Sequence, residues 1–197
     1  MTGLERGYIQ VYTGDGKGKT TAALGLALRA YGRGYKTLIL QFMKSKGYGE
    51  HESLKNFASD IEIRTLGKPF FIAHEGEIDK ETLAQIKDEV AIFPPGNPPY
   101  ELVEVVKEGL ELARQEMLSG LWDIVVLDEI NVCVYFDLIP VELVVSLLED
   151  KPENVELVLT GRKAHPEIIT RADLVTEMKE VKHYYQQNVL ARPGIES

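Results

Sequence analysis

The sequence predicts an α/β fold built on a mainly parallel sheet with helices on both faces. Three observations carry this. Apolar runs of strand length alternate with longer segments of helical periodicity. The strand runs are nearly continuous in Val, Ile and Leu, as strands covered on both faces require. A glycine-rich turn stands between the first strand and the first helix.

Tyr8-Ile9-Gln10-Val11-Tyr12 reads as the first strand. Lys19 to Tyr31 reads as a helix with two apolar stripes, one of Leu24, Ala27, Leu28 and Tyr31 and one of Ala22, Leu26 and Ala30. Two stripes predict a largely buried helix, within which Gly25 permits close packing. Gly32 and Gly34 end it. Thr37 to Phe42 is a second strand, Glu50 to Asn56 a short helix and Ile61 to Arg64 a short strand. Residues 67–100 combine Phe70-Phe71, an acidic stretch, a helix near Lys80 to Val90, and the break Pro94-Pro95-Gly96-Asn97-Pro98-Pro99, which suits a loop and no element interior. Glu101 to Leu118 carries Leu102, Val106, Leu110, Ala113 and Met117 at helical spacing. Asp123 to Asp128 is an apolar strand ended by acids. Pro140 opens a helix with Leu143, Val144, Leu147 and Leu148 facing inward. Val155 to Thr160 is a strand, Pro166 to Arg171 a short helix and Leu174 to Met178 a last strand. No repeat, low-complexity tract or linker divides the chain, so residues 1–197 read as one domain.

The composition, 44% hydrophobic and 27% charged, is that of an ordinary globular protein and excludes disorder, collagen and coiled coil for the chain as a whole. No apolar run reaches the roughly 18 residues of a membrane span, and the opening residues MTGLERGYIQ show no secretory pattern. The single Cys133 makes no internal disulfide and fits a reducing, cytoplasmic compartment; it reads as a small buried hydrophobe. The net charge is −9, yet residues 1–48 hold eight Lys and Arg against two acids. An acidic whole argues against a general nucleic-acid binder, and a local basic region suits a small polyanion.

Thr13-Gly14-Asp15-Gly16-Lys17-Gly18-Lys19-Thr20-Thr21 lies between the first strand and first helix, the setting of a phosphate loop. Its glycines let the backbone pass through positive φ and aim N–H groups inward. The following helix adds its partially positive N-terminus. Lys19 can reach phosphate oxygens and Thr20 can offer its hydroxyl to Mg²⁺. The common pattern G-x-x-x-x-G-K-[ST] has glycine where Thr13 stands, so the loop is a variant. At the end of the run Ile124-Val125-Val126-Leu127, the acids Asp128 and Glu129 are candidates to hold the metal that bridges phosphates.

The stretch Gly14 to Thr21, GDGKGKTT with Thr13 before it, resembles the loop of the CobA-type ATP:corrinoid adenosyltransferases. The resemblance continues through LQFMK (Leu40 to Lys44), VVLDEI (Val125 to Ile130), LTGR (Leu159 to Arg162), His165, ADLVTEM (Ala172 to Met178), VKH (Val181 to His183) and ARPGIE (Ala191 to Glu196), in the family's order. It implies a RecA-like P-loop fold, Mg²⁺ or Mn²⁺, and transfer of the 5′-deoxyadenosyl group of ATP to Co(I) of a reduced corrinoid, with triphosphate leaving. It also implies a nucleotide reversed in the loop, with the γ-phosphate where other P-loop enzymes hold the α-phosphate. By position, Thr13 to Thr21 bind ATP, with Lys19 neutralising charge, Thr20 on the metal, and Glu129, with Asp128, completing the metal site. Gly67-Lys68-Pro69-Phe70-Phe71 corresponds to the family's aromatic stretch beside the corrinoid, which makes Phe70 and then Phe71 the candidates there; Lys68 stands where an aromatic is expected. A reduced flavoprotein as electron donor and a homodimer follow by the same analogy.

Co(I) carries no proton to remove, so the reaction needs no general base, only positioning and stabilisation of the leaving charge. Two rivals stay open on the residues alone. One is a RecA-like ATPase in which Glu129 orients water and ADP and phosphate leave. The other is a binding module that sequesters corrinoid without turnover. His165 and His183 lack partners at zinc-ligand spacing. Arg162, at a strand end, meets either ligand or a surface carboxylate.

Overall fold

The computed structural model describes residues 3–44, 47–57, 59–67, 71–76, 90–187, 189 and 192–195. Among them the chain runs β1 (Ile9–Thr13), α1 (Lys19–Tyr31), β2 (Thr37–Phe42), α2 (Gly49–Ser53) with a 3₁₀ turn (Leu54–Phe57), β3 (Ile61–Leu66), β4 (Phe71–His74) and β5 (Val90–Phe93). It continues through α3 (Tyr100–Leu118), β6 (Ile124–Asp128), α4 (Ile130–Tyr135), α5 (Val141–Glu149), β7 (Glu156–Thr160), α6 (Pro166–Arg171), β8 (Leu174–Glu177) and a last 3₁₀ turn (Tyr184–Gln187).

Six strands form one sheet in the order β3-β2-β6-β7-β1-β8, every neighbouring pair parallel. The continuous apolar runs account for this: β2 and β6 are buried at every position, which only a sheet covered on both faces allows. Alternate residues divide between two cores. Val11, Leu38, Leu40, Phe42, Val125, Leu127, Leu157 and Leu159 pack with Val106, Leu110, Ala113 and Met117 of α3 and with α4, α5 and α6. Ile39, Ile61, Val126 and Val158 pack with Ala23, Ala27 and Ala30 of α1. Helices therefore cover both faces, and β7 lies between β1, which carries the glycine loop, and β6, which carries the acids. This is the expected α/β arrangement with a mainly parallel sheet and helices on both faces, and it brings the C-terminal ends of β1, β2, β6 and β7 to one side, where parallel α/β sheets bind ligands.

Several expectations need correction. Helix α1 is not largely buried: its sheet-facing stripe is Ala23, Ala27 and Ala30, while Leu28 is 53% exposed and Tyr31 36%. Small residues form the buried stripe, Leu24 and Leu26 pack at the margin of the same core, and Tyr31 packs edge-on against Phe57 with centroids 4.9 Å apart. Gly25 faces outward, and a Cβ there would meet nothing within 4 Å, so it permits no close packing. That role belongs to Gly109 of α3, where a Cβ would lie 2.8 Å from Phe42 Cε1. In α5, Val145 is buried and Leu143 is exposed, and Pro140 precedes the helix as its N-cap. Val90 opens a strand rather than ending a helix; β4 and β5 form a separate two-stranded parallel sheet. The rest of the expected helix near Lys80 lies outside the described residues. Helix α4 has no counterpart among the expected elements: it follows Glu129 without a break and its Cys133 is fully buried, as a small hydrophobe would be.

Candidate functional site

Strand β1 delivers Thr13 to the end of the sheet, where the chain turns through Gly14 (φ 95°) and Gly18 (φ 111°) into α1. Space as well as φ demands glycine. A Cβ on Gly14 would lie 2.4 Å from Met178 O, and one on Gly16 2.7 Å from the same oxygen. Gly16 N donates to Met178 O at 2.7 Å and Met178 N donates to Thr13 O at 2.8 Å, so the exit of β8 braces the loop. Thr13 has its own reason to replace glycine: its hydroxyl accepts from Ala164 N at 3.2 Å and ties the loop to the segment after β7.

Lys19 Nζ donates to the carbonyls of Gly14 and Gly16, each at 2.7 Å. Burial pushes its ammonium below the usual lysine range, against the pull of Glu129 and Asp15. Thr20 Oγ1 donates to Asp128 Oδ1 at 2.9 Å, and Thr160 Oγ1 donates to that oxygen at 2.6 Å. Asp128 Oδ2 accepts from Lys44 Nζ at 2.7 Å and from Gln41 Nε2 at 3.2 Å. Glu129 follows with φ 66°, a left-handed turn that a non-glycine residue adopts only at some energetic cost, and its N–H donates to Thr160 Oγ1 at 3.0 Å. Burial and the neighbouring Asp128 push the Glu129 carboxyl above the usual range, although Lys44, Lys19 and Arg162 oppose them.

An open cleft of about 530 Å³ lies in front of these groups. Lys17, Gly18, Lys19, Thr20, Thr21 and Glu129 line it, together with Leu24, Lys44, Tyr48, Glu50 and the late residues Gly194 and Ile195. Asp128 is fully buried behind Thr20. The Asp15 side chain turns away to Lys163, 3.7 Å distant. Phe70 lies outside the described residues, and of Phe71 only the backbone, in β4, is described. Arg162 is exposed beside the cleft, His165 caps α6 by accepting from Glu167 N, and the His183 ring packs on Tyr184.

Gln41, Lys44 and Thr160 join the site; they lie in the runs LQFMK and LTGR that carry the family resemblance, but the sequence alone assigns them no role. A polar residue at or just past the C-terminal end of a strand is the available signal, because that end of a parallel sheet is where ligands bind. The late segment is likewise an unforeseen cleft wall: Lys17 Nζ donates to Ile195 O at 2.9 Å.

Among the described residues no group of three or more His, Cys, Asp and Glu forms a ready metal cage. Thr20 and Glu129 offer instead a hydroxyl and a carboxylate, hard oxygen donors on the cleft, while Asp128, expected as a direct ligand, is fully buried with both oxygens hydrogen-bonded and stands behind Thr20. That set fits Mg²⁺ or Mn²⁺, because Mg²⁺ takes one or two carboxylates and completes its shell with water and substrate phosphate. Among the described residues no helix is long and apolar enough to cross a membrane.

Residues 5–197 match the family model described as ATP:corrinoid adenosyltransferase BtuR/CobO/CobP. The chain is 33% identical over 193 residues to the corrinoid adenosyltransferase of Escherichia coli K12, covering 98% of this chain and 86% of that protein. It is 34% identical, with the same coverage, to the corrinoid adenosyltransferase CobA of Salmonella typhimurium LT2. Among solved structures, a KaiC-like protein of Pyrococcus horikoshii OT3 aligns with a TM-score of 0.45 at 17% identity, over 91% of this chain and 75% of that one.

Proposed function

The chain belongs to the ATP:corrinoid adenosyltransferase family and transfers the adenosyl group of ATP to a corrinoid, and from that premise we propose that the loop Thr13 to Thr21 grips the triphosphate as a unit and leaves C5′ open to the metal-centred nucleophile. The observation that supports this is the joining of the glycine loop to the acidic strand end: Thr20 is hydrogen-bonded to Asp128, with Lys19 and Glu129 lining the same cleft.

In this reading the backbone amides of the loop and the N-terminus of α1 bind phosphate oxygens. Lys19 leaves its two carbonyl partners to neutralise charge on the triphosphate as the C5′–O bond breaks. Thr20 and Glu129 would hold a divalent cation, with Asp128 behind them orienting Thr20. When bound, the cation would supply charge stabilisation to the triphosphate. Electron pair and charge balance without a protein base: Co(I) donates the pair that forms the Co–C bond, and the C5′–O pair leaves with triphosphate. Phe70 and Phe71 line the corrinoid side, a role that rests on the resemblance of Gly67 to Phe71 to the family's aromatic stretch. The chain acts as one domain, in the cytoplasm, as a homodimer served by a reduced flavoprotein.

The test is anaerobic incubation of the protein with ATP, Mg²⁺ and chemically reduced corrinoid. The expected result is the spectrum of a Co–C bond with stoichiometric triphosphate. ADP and phosphate without a Co–C bond mark a hydrolase and overturn the reading; binding of both ligands without products marks a sequestering module and overturns it equally. A nucleotide-bound crystal with adenosine in the loop and the γ-phosphate outward overturns the proposed grip.

A further inference from the structure

Lys44 sits two residues past the end of β2 and is held there by costly backbone. Met43 before it adopts φ 57°, outside the regions favoured by a non-glycine residue. Its N–H donates to Leu66 O at 2.8 Å, which pins the turn to β3. Gly67 then packs so closely on Met43 that a Cβ there would lie 2.9 Å from Met43 Cα. Strain of this kind persists where surrounding structure enforces it, and it clusters at functional sites.

The turn sends the Lys44 side chain back across the sheet end. Its Nζ lies 2.7 Å from Asp128 Oδ2 and 3.3 Å from Thr20 Oγ1, and 5.4 Å from the Tyr48 ring centroid. The side chain is 15% exposed, and that exposed part faces the cleft lined by Lys19, Thr20 and Glu129. We propose that Lys44 is a triphosphate-binding residue, a second protein cation that meets the leaving group alongside Lys19 while keeping Asp128 and Thr20 in register. This rests on the reading of the cleft as the triphosphate site and adds a residue to it.

Three physical points favour contact with phosphate over a purely structural pair. Asp128 already accepts from Thr20, Thr160 and Gln41, so its oxygens are satisfied without a buried ammonium. An ammonium has three donors, of which Asp128 and Thr20 take two, so a third is left for a phosphate oxygen on the cleft side. A triphosphate bound to one divalent cation keeps net negative charge, and the site adds Asp128 and Glu129, so Lys17 and Lys19 together leave an excess that grows as the C5′–O bond breaks. Burial opposes the charge on Lys44, but Asp128 outweighs it and the ammonium stays charged above the usual lysine range.

The experiment compares the full chain with Lys44→Met, Lys44→Arg, Asp128→Asn and the double variant Lys44→Met/Asp128→Asn. Calorimetry measures binding of inorganic triphosphate, Mg-ATP and adenosine; thermal denaturation reports folding; turnover is read with chemically reduced corrinoid. The expected result for Lys44→Met is triphosphate and Mg-ATP binding weakened by about tenfold or more, adenosine binding unchanged, and kcat lowered. Lys44→Arg restores most of the binding. Triphosphate affinity within about twofold of the parent in a folded Lys44→Met overturns the proposal. If Lys44→Met does not fold, the double variant, which removes both charges, decides: binding equal to that of Asp128→Asn overturns the proposal, and weaker binding upholds it. A parent chain that binds no triphosphate overturns the reading of the cleft itself, a failure distinct from that of Lys44 alone.

Discussion

Thr20 and Asp128 are joined by a hydrogen bond of 2.9 Å although 108 residues separate them. The same carboxylate also receives Thr160 from β7 and Gln41 and Lys44 from β2 and its exit. One buried acid thus ties the start of α1 to the ends of three strands. Sheet order makes this possible, because β6 lies between β2 and β7 and projects Asp128 where both can reach it. The site is therefore braced through its floor, and Glu129, the next residue, is turned into the cleft by its left-handed backbone.

Removing that floor should cost stability as well as activity. Asp128→Ala strips the acceptor from four donors and leaves the mostly buried Lys44 ammonium without its carboxylate. The expected loss is about 3–5 kcal/mol, as for breaking one side of a buried ion pair. Urea denaturation checks it. Thr20→Val, which removes one hydrogen bond to the same acid, should cost only about 1 kcal/mol while abolishing metal-dependent turnover.

Two glycines should respond in opposite directions to alanine. Gly14→Ala places a Cβ 2.4 Å from Met178 O at φ 95° and should displace the loop, destroying ATP binding and lowering the melting temperature. Gly25→Ala adds a Cβ on an exposed helix position with nothing within 4 Å. It should raise stability by roughly 1 kcal/mol and leave ATP affinity unchanged. Nucleotide titration and thermal denaturation of the two variants separate these outcomes.

Much of the fold is legible because single elements declare themselves. Lys19 to Tyr31, Thr37 to Phe42 and Pro166 to Arg171 lie where their local patterns place them, and the glycine loop announces its own strand and helix. What stays hidden depends on neighbours. Leu28 and Leu143 share apolar spacing with buried residues, yet the sheet faces other sides of their helices. Lys44 and Thr160 enter the site only because β2 and β7 flank β6, and strand order leaves no mark in periodicity. Helix α4 is six residues long and continuous with β6, too short for a helical pattern to separate from the strand before it.

Acid should loosen one remote brace in a defined way. Glu116 on α3 accepts from Arg64 Nη1 at 2.5 Å and from Trp122 Nε1 at 2.8 Å, joining α3 to β3 and to the turn before β6. The Arg64 hydrogen bond, with that of Trp122, holds the Glu116 carboxyl below its ordinary value of 4.5. A depressed folded value means the stabilisation is complete above 4.5 and is lost as pH falls through the lowered value. Arg64 is 30% exposed, so the contribution is modest. Glu116→Gln should therefore lower the urea midpoint near neutrality and flatten its decline in acid; an unchanged acid limb counts against the brace.

Lys19 is the residue whose loss should separate fold from chemistry. Its Nζ closes the loop by donating to Gly14 O and Gly16 O, but the loop is also anchored by Gly16 N to Met178 O and by Thr13 to Ala164. Those anchors survive in Lys19→Ala, so the circular dichroism spectrum should match that of the parent and the melting temperature should fall only slightly. On the proposed grip the departing triphosphate loses one cation of the loop, and removal of one such donor lowers kcat by about 10²–10³-fold. Stopped-flow formation of the Co–C bond with chemically reduced corrinoid measures this step directly. Near-normal turnover in Lys19→Ala would place the triphosphate elsewhere.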